Sequence, residues 1–403
     1  MASPTRYGGA VLPALVVGQV GLHTAMAGVR LAMPLQALQE GYSAWAVGVL
    51  LALFAVLPVA TALPAGRMTD RHGYHRPLRW AVCAQLAACA LAVVACWVAG
   101  PAHFVMLCVA AAVSGASANM GMITIQRSAG RLADDATERL RVFSWLGVAP
   151  SAANVIGPVA VGLTIDGAGF AAAYGLMMSC PLVTLWAARR VPRETGRAMS
   201  AAVPVPGQST RDLLRLPAMK RLMSINWLLS ASWDVQAFAV PVMGHQLAFS
   251  ASTIGFILGA FTMSVTLVRV VVPLLAHRLR QDLVLRASMV WTGAVLALYP
   301  WAVSPWAMGG LAVLLGLSLG VVQPIIMTTL HRLTPENRHG EAIALRSMVI
   351  NASSSLMPLT FGVVGTALGP AVLFWAMAAL VAGGSPLSRR LGGAPRPAQP
   401  AAR

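Results

Sequence analysis

Two ionisable residues lie deep inside long apolar stretches of this sequence, where a charge is expensive. Asp234 is the only acid near the middle of such a stretch, and His23 lies at similar depth in another. A carboxyl group in apolar surroundings tends to retain its proton, and histidine titrates near neutral pH. These residues are therefore predicted to carry a proton or to contact a polar ligand, singly or as a His23–Asp234 pair. The alternative is a structural pair that anchors two helices.

Further polar and aromatic residues lie near Asp234 in the sequence or at similar depth in other stretches. Ser230 is four residues from Asp234 and three from Trp227, so the three side chains share one face of a helix. Asn154 and Gln323 add polar groups in two other stretches. A few polar groups among apolar walls suit a small amphipathic solute.

The elements that position these residues are predicted to be membrane helices. The chain is 57% apolar and only 10% charged, whereas a soluble domain has about 25% charged residues. Its continuous apolar runs, mostly near the ~20 residues that span a bilayer, favour helices over barrel strands. The fold class is thus an all-α integral membrane protein with twelve transmembrane helices. The predicted spans are 10–38, 44–65, 78–99, 103–126, 142–164, 170–188, 220–243, 252–275, 284–303, 305–330, 342–366 and 369–387.

The basic residues predict how the chain is oriented. Apart from Arg30 and Arg269, the 29 Lys and Arg residues fall at the two ends of the chain and on alternate loops with their adjoining helix ends. The positive-inside rule places those loops, and both termini, in the cytoplasm. Topology therefore explains the net charge of +17, and no nucleic-acid partner is expected.

Arg30 and Arg269 lie well inside predicted spans, and Arg346 lies early in the eleventh. Arg30, in the outer part of the first span, could meet Asp234, bind an anionic substrate or extend to the outer headgroups. Arg269 and Arg346 lie nearer the cytoplasmic ends of their spans. They are expected to extend to the headgroups or to form pairs at that face.

The sequence contains a repeat of two halves. Residues 1–188 and 220–388 are predicted to be six-helix bundles, joined by a polar cytoplasmic linker at 189–219, with a disordered cytoplasmic tail at 389–403. Since each half has an even number of helices, the repeat is parallel, with its axis along the membrane normal. Matched residues recur in order at a slowly changing offset: Pro34 with Pro241, Gly48 with Gly255, Gly115 with Gly320, Arg127 with Arg332, and Pro158 with Pro358.

A polar, basic segment, Gly66–Leu78, separates the second and third spans. It is predicted to be a tight hairpin, with Gly66 allowing close helix approach and Gly73 a sharp turn. Its spacing, Gly66-x-x-x-Asp70-Arg71-x-Gly73-Tyr74-x-Arg76, resembles the signature loop between helices two and three of the major facilitator superfamily. With the twelve spans, the repeat and the central linker, this resemblance covers essentially the whole chain.

The resemblance implies a cytoplasmic gate formed by Gly66, Asp70, Arg71, Gly73, Arg76 and Arg127. In the family, the carboxylate that matches Asp70 holds the two halves shut at the cytoplasmic face. Its expected partner here is Arg127, or the N-terminus of helix eleven near Glu341. The repeat places His277 at the equivalent position of the second half, so the gate is expected to be asymmetric. The alternative is a solvated loop that only follows the charge rule.

The resemblance also implies a function. A chain of this family is expected to be a secondary active transporter that moves a small organic solute by alternating access, here with proton coupling through Asp234. Gly157-Pro158 and Gly162 after Asn154 resemble the end of the antiporter motif of drug exporters, with a departure at Val161. Efflux is therefore the leading direction. An importer or facilitator of a metabolite, or a non-transporting membrane receptor, are the alternatives.

Other classes of function have little support in the sequence. The five cysteines fall inside predicted spans without the spacing of a disulfide framework or metal site, and no phosphate-binding glycine motif is present. No cofactor, metal or enzymatic activity is expected. The expected partners are the solute, protons and membrane lipid, with no obligate protein partner and a monomeric state. The expected location is the bacterial inner membrane, as a multi-pass protein.

Overall fold

The computed structural model describes residues 11–130, 136–192, 210–275, 281–334 and 338–390, and every regular element within these ranges is helical. Short 3₁₀ helices, Tyr299–Trp301 and Ser385–Arg390, follow α9 and α12. The α-helices are α1 (Val11–Gln39), α2 (Ala44–His72), α3 (His75–Ala95), α4 (Pro101–Gly130), α5 (Ala136–Ala188), α6 (Thr210–Arg215), α7 (Pro217–Gln246), α8 (Ala251–Leu275), α9 (Gln281–Leu298), α10 (Pro305–Leu333), α11 (His339–Leu368) and α12 (Pro370–Gly384).

Ten helices in the described ranges are long and apolar enough to cross a membrane. One of them, Trp145–Ala188, has 44 residues, which is roughly twice the length that a single crossing needs. A break at Gly169, with φ of 82°, divides it at the point where the sequence predicted two spans. The 30-residue α7 is more polar and is not among the ten. The predicted all-helical architecture is confirmed for the described residues, and the number twelve and the position of the termini stay predictions.

The loop within the polar segment Gly66–Leu78 is shorter than predicted. The second helix continues through Gly66 to His72 and the third begins at His75, so only Gly73 and Tyr74 connect them. Helical hydrogen bonds satisfy the backbone of these polar turns while their charged side chains remain exposed. Gly73 has φ of 67°, a left-handed conformation that favours glycine, and its N–H donates to the Thr69 carbonyl oxygen. The hairpin is therefore tight, but most of the motif is helical.

The role predicted for Gly66 is wrong in one respect. A Cβ atom added at Gly66 would meet nothing within 4 Å among the described residues. Gly66 therefore permits no close helix contact in this part of the structure. One glycine that does so on a neighbouring helix is Gly115 of α4, where an added Cβ would overlap the backbone carbonyl oxygen of Phe54 on α2.

Contacts divide the chain into two compact units. The first comprises Met1–Ala201 with Pro241–Thr262, and the second comprises Ala202–Val240 with Met263–Arg403. The end of α7 and the start of α8 thus pack with the first unit. The predicted linker at 189–219 contains the short helix α6, while residues 193–209 lie outside the described ranges, as do residues 391–403 of the predicted tail.

Close packing explains why the start of α8 belongs to the first unit. A Cβ added at Gly162 on α5 would lie 2.5 Å from the Ala251 carbonyl oxygen. The Asp166 carboxylate accepts hydrogen bonds from the N–H groups of Ala251 and Ser252, each at 2.9 Å. These N–H groups are in the first turn of α8, where a helix leaves donors unsatisfied and favours a negative charge. Asp166 therefore anchors the start of α8 to α5.

The repeat proposed from the sequence corresponds to equivalent helix contacts inside each unit. In the first unit, Gln85 on α3 donates to Ser114 on α4 at 3.0 Å. In the second unit, Thr292 on α9 and Ser318 on α10 are hydrogen-bonded at 2.9 Å. These pairs tie helices three and four of each predicted half together below the surface.

The glycine pair Gly115 and Gly320 also occupies equivalent positions. Gly115 lies where α4 crosses α2, and Gly320 lies where α10 crosses α8, close to the Val265 carbonyl oxygen. In both places the backbones approach too closely for a side chain. This is the packing that small residues provide between helices in a membrane.

Candidate functional site

The most distinctive buried charge of the second unit is Asp234 on α7. Its side chain is 4% exposed. Ser353 Oγ on α11 donates to Asp234 Oδ2 at 2.8 Å, and Ser354 Oγ donates to Asp234 Oδ1 at 3.2 Å. Each carboxylate oxygen therefore has a hydroxyl donor from the facing helix.

The two helices present these groups near their centres. Asp234 is a little beyond the middle of α7, and Ser353 is at the middle of α11. Both hydroxyl donors are supplied by adjacent residues of one helical turn, which places one donor at each carboxylate oxygen. The site is thus built from two helices that are far apart in the sequence and adjacent in the second unit.

This arrangement can bind and release a proton. Hydroxyl donors stabilise the charged carboxylate, and burial in apolar surroundings opposes that charge. Protonation of Asp234 would turn an acceptor into a donor and would require one serine hydroxyl to rotate. Protonation would therefore rearrange the hydrogen bonds between α7 and α11, and a role of Asp234 in carrying a proton stays a prediction.

The serines were missed in the sequence analysis. The signal that could have indicated them is the polar run Asn351-Ala352-Ser353-Ser354-Ser355 in the middle of an otherwise apolar span. Runs of small polar residues in membrane helices often bond across helices. Sequence alone did not show which face of that helix meets α7.

The other predicted residues of α7 lie on the same helix as Asp234. Ser230 is one turn before it and Trp227 nearly two turns before it, and both are half-buried. Their helix face is shared with Asp234, as the spacing predicted. A contact of either residue with a solute stays a prediction.

Two predicted site residues lie on α1 of the first unit. His23 and Arg30 are both half-buried and are separated by seven residues, so they share a helix face. His23 and Asp234 belong to different units. Their pairing, and the role of Arg30 toward a substrate, stay predictions.

The remaining predicted polar residues are bonded in two different ways. Asn154 Nδ2 donates to the Pro150 carbonyl oxygen at 2.9 Å, within its own helix. Gln323 Oε1 on α10 accepts a hydrogen bond from the Arg346 guanidinium on α11. Gln323 therefore belongs to an interhelical contact of the second unit, whereas the Asn154 bond lies within α5.

The predicted gate residues Asp70 and Arg127 are in contact. Arg127 Nε donates to Asp70 Oδ1 at 2.8 Å, with side-chain exposures of 15% for the arginine and 59% for the aspartate. Thr69 and Thr124, one position from Asp70 and three from Arg127, are hydrogen-bonded at 3.2 Å and buried. These bonds join α2 to α4 within the first unit, so Arg127 is a partner of Asp70, and a contact with the start of α11 stays a prediction.

The other gate residues surround this contact. Arg71 and Arg76 are exposed on the last turn of α2 and the first turn of α3. Tyr74, in the turn between them, is buried, and burial raises the pKa of its hydroxyl, which therefore stays neutral. The predicted counterpart of Asp70, His277, lies outside the described residues. Closing of the cytoplasmic face by this motif stays a prediction.

A test of the gate interpretation is the substitution Asp70→Asn. We expect the transport rate to fall by roughly two- to fivefold, since the pair is partly solvent-screened, while membrane insertion stays intact. The measurement is solute uptake into proteoliposomes, normalised to inserted protein. Arg79→Gln, an exposed arginine outside the motif, is the matched control. Transport at the wild-type rate in the Asp70→Asn protein would contradict the gate.

A cavity of about 420 Å³ lies in the first unit near the ends of α1 and α7, the start of α8 and the break in α5 at Gly169. Its lining includes Gln39, Asp166 and His245 together with the aromatic residues Phe170 and Phe249. The Asp166 carboxylate in this cavity is already bonded to the start of α8. This cavity therefore borders a structural anchor, and the sequence analysis identified neither Asp166 nor His245.

Comparison with protein families gives a match over nearly the entire chain. The sequence profile described as Major Facilitator Superfamily matches residues 15–232 and 222–403. No curated protein matches the chain in sequence.

Solved structures share the fold at low sequence identity. The peptide transporter POT in complex with sulfate aligns with a TM-score of 0.74 and 11% identity, over 96% of this chain and 97% of that one. A bacterial metal transporter aligns with a TM-score of 0.70 and 16% identity, over 95% and 99%. The nucleoside transporter NupG aligns with a TM-score of 0.68 and 12% identity, over 95% and 99%.

Proposed function

This chain belongs to the major facilitator superfamily, and on that premise we propose that it is a secondary active transporter of a small organic solute. It works by alternating access, with a proton carried by Asp234. The solved structures that share this fold are those of transporters of peptides, a metal and a nucleoside. Because one fold serves such different solutes, the cargo has to be argued from the site.

The observation that supports proton coupling is the environment of Asp234. An ionisable residue within a membrane protein is expensive and usually functional. Asp234 is buried, near the middle of α7, and bonded to Ser353 and Ser354 on α11. A group that alters a contact between two helices when it gains a proton can link protonation to a conformational step.

The proposed direction is efflux in exchange for protons, across a bacterial inner membrane. It is supported by the glycine and proline residues of α5, which resemble an antiporter motif. In the structure, Gly157 packs against α1, where an added Cβ would lie 2.8 Å from the Gly28 nitrogen, and Gly162 packs against the start of α8. Import of a metabolite is the second candidate, since the same coupling group serves both directions.

The test is solute-dependent proton movement in proteoliposomes. The full chain is reconstituted with a pH-sensitive dye inside, a pH gradient is imposed, and solutes are added one at a time. Proton movement opposite to the solute indicates an antiporter, and movement with it indicates a symporter. Solute movement without a pH change would indicate a facilitator and would contradict proton coupling. No movement for any member of a broad panel would favour a receptor.

A further inference from the structure

Two arginines of the second unit lie inside membrane helices. Arg269 is on α8, six residues before this helix ends at Leu275. Arg346 is on α11, two turns after this helix begins at His339. Arg346 is 9% exposed, whereas Arg269 is half-buried. The sequence predicted that both would extend to the headgroups or form pairs. Most of the Arg346 side chain is therefore enclosed by neighbouring residues.

Among the described residues, the hydrogen bonds of these two arginines include no acidic partner that would balance their positive charges. The Arg346 guanidinium donates to Gln323 Oε1 on α10, which is a neutral acceptor. The Nε groups of Arg269 and Arg346 are both buried without a hydrogen-bond partner. In the part of the chain that the structure describes, no carboxylate forms an ion pair with either arginine.

The two positive charges also act on each other. Val268, next to Arg269, packs against Gly320 on α10, and Gln323, the partner of Arg346, is about one helical turn further along α10. Both arginines therefore flank the same stretch of α10, where like charges repel. A buried charge is normally paired, because removing an ion from water costs several kcal/mol even after relaxation. Two neighbouring guanidinium groups with one neutral partner are therefore unfavourable without a counter-charge. An anion bound between the two arginines would pair the buried charges and would also offset the repulsion between them.

From this geometry we propose that Arg269 and Arg346 form an anion-binding subsite of the transport site, which takes the carboxylate or phosphate group of an organic anion. Gln323 positions the Arg346 guanidinium from the side. The planar guanidinium donates two parallel hydrogen bonds to carboxylate or phosphate oxygens, a match that an ammonium group lacks. This proposal rests on the proposed transport function.

The subsite is connected to Asp234 through α11. Arg346 and Ser353 are seven residues apart, which is about 10 Å along a helix and nearly the same helix face. Ser353 is one of the two hydroxyl donors to Asp234. A solute whose anionic group lies at the arginines could therefore extend along α11 toward the proposed proton site.

The experiment measures anion-dependent melting of the purified full chain in detergent. Inorganic phosphate, sulfate and succinate are titrated against chloride at constant ionic strength. The proteins compared are wild type, Arg346→Gln, Arg269→Gln and the control Arg332→Gln, an exposed arginine at the end of α10. The readout is the midpoint of the anion-dependent shift, so a change in basal stability caused by the substitution does not enter.

We expect at least one of the three anions to stabilise the wild type in a saturable manner. Its midpoint should rise tenfold or more in Arg346→Gln and Arg269→Gln and should stay unchanged in Arg332→Gln. Equal midpoints in all four proteins, or no stabilisation by any of the three anions, would overturn the proposal. Arg346→Lys adds a test of geometry, since it keeps the charge and loses the paired donors.

Lipid headgroups are a second source of phosphate. A further experiment distinguishes binding of lipid phosphate from binding of a soluble anion. The same proteins are melted in nanodiscs of phosphatidylcholine, with and without phosphatidylglycerol. Stabilisation that needs phosphatidylglycerol and Arg346, with no response to soluble anions, would assign the arginines to lipid and overturn the substrate subsite. Saturable binding of a soluble anion without any transport of it would preserve the anion site and contradict the transport function.

Discussion

Replacing Asp234 by Asn is expected to reduce proton-driven solute movement to the level of protein-free liposomes. The asparagine side chain has nearly the same shape and can still accept from Ser353 or Ser354, but it cannot bind a proton. The helices α7 and α11 should therefore pack normally while the coupling is lost. The measurement is the pH change inside proteoliposomes for a solute that the wild-type protein moves.

The matched control is Asp282→Asn, which removes an acid from the first turn of α9 instead of the interior. Its solute-driven pH change should equal that of the wild type. Counterflow of labelled solute, which needs no net proton movement, gives a second readout on Asp234→Asn. If the substituted protein still moves protons with the solute at the wild-type rate, Asp234 is not the coupling group.

Replacing Gly115 by Val is expected to lower the melting temperature of the purified protein by roughly 5–10 °C, as overpacking a tight helix contact does. A Cβ at this position would overlap the Phe54 carbonyl oxygen and lie 2.8 Å from the carbonyl carbon. Because these atoms are backbone, no rotamer change relieves the overlap, and α2 and α4 must separate. Separation would also weaken the Asn119–Pro58 and Thr69–Thr124 hydrogen bonds between these helices.

The control is Gly147→Ala on α5, where an added Cβ meets no described atom within 4 Å. Its melting temperature should stay the same or rise slightly, since alanine is about 1 kcal/mol better than glycine inside a helix. The melting temperatures are read from tryptophan fluorescence in detergent. Equal melting temperatures for Gly115→Val and wild type would mean that α2 and α4 do not pack as the structure shows.

The helical architecture could be predicted because of a simple constraint. Apolar runs of bilayer length leave a backbone that must bond within itself, so each run forms a helix. The break at Gly169 falls between two of the predicted spans, 142–164 and 170–188. The helix ends were predicted less well: the run of charges from Arg67 to Arg71 was assigned to a loop, although exposed charges are compatible with the last turns of a helix.

Parts of the candidate site could also be predicted. Asp234 could be identified from the sequence because a single acidic residue in an apolar run is unusual in any membrane fold. The Asp70–Arg127 contact followed from a motif spacing that the family repeats. The burial of Arg346 could not be predicted, because it depends on tertiary contacts such as that with Gln323 on α10 and not on its distance from a helix end.

By itself, the sequence determined that this protein is a helical membrane protein of the major facilitator superfamily, with an acidic residue, Asp234, inside a predicted span. Only the tertiary structure decided the partners: Ser353 and Ser354 for Asp234, Gln323 for Arg346, and the start of α8 for Asp166. The physical reason is helix rotation. Helices that are apolar on nearly every face have no single face that burial favours, so their rotation depends on close contacts such as that of Gly115 with Phe54. Those contacts join residues far apart in the chain and exist only once the helices are packed.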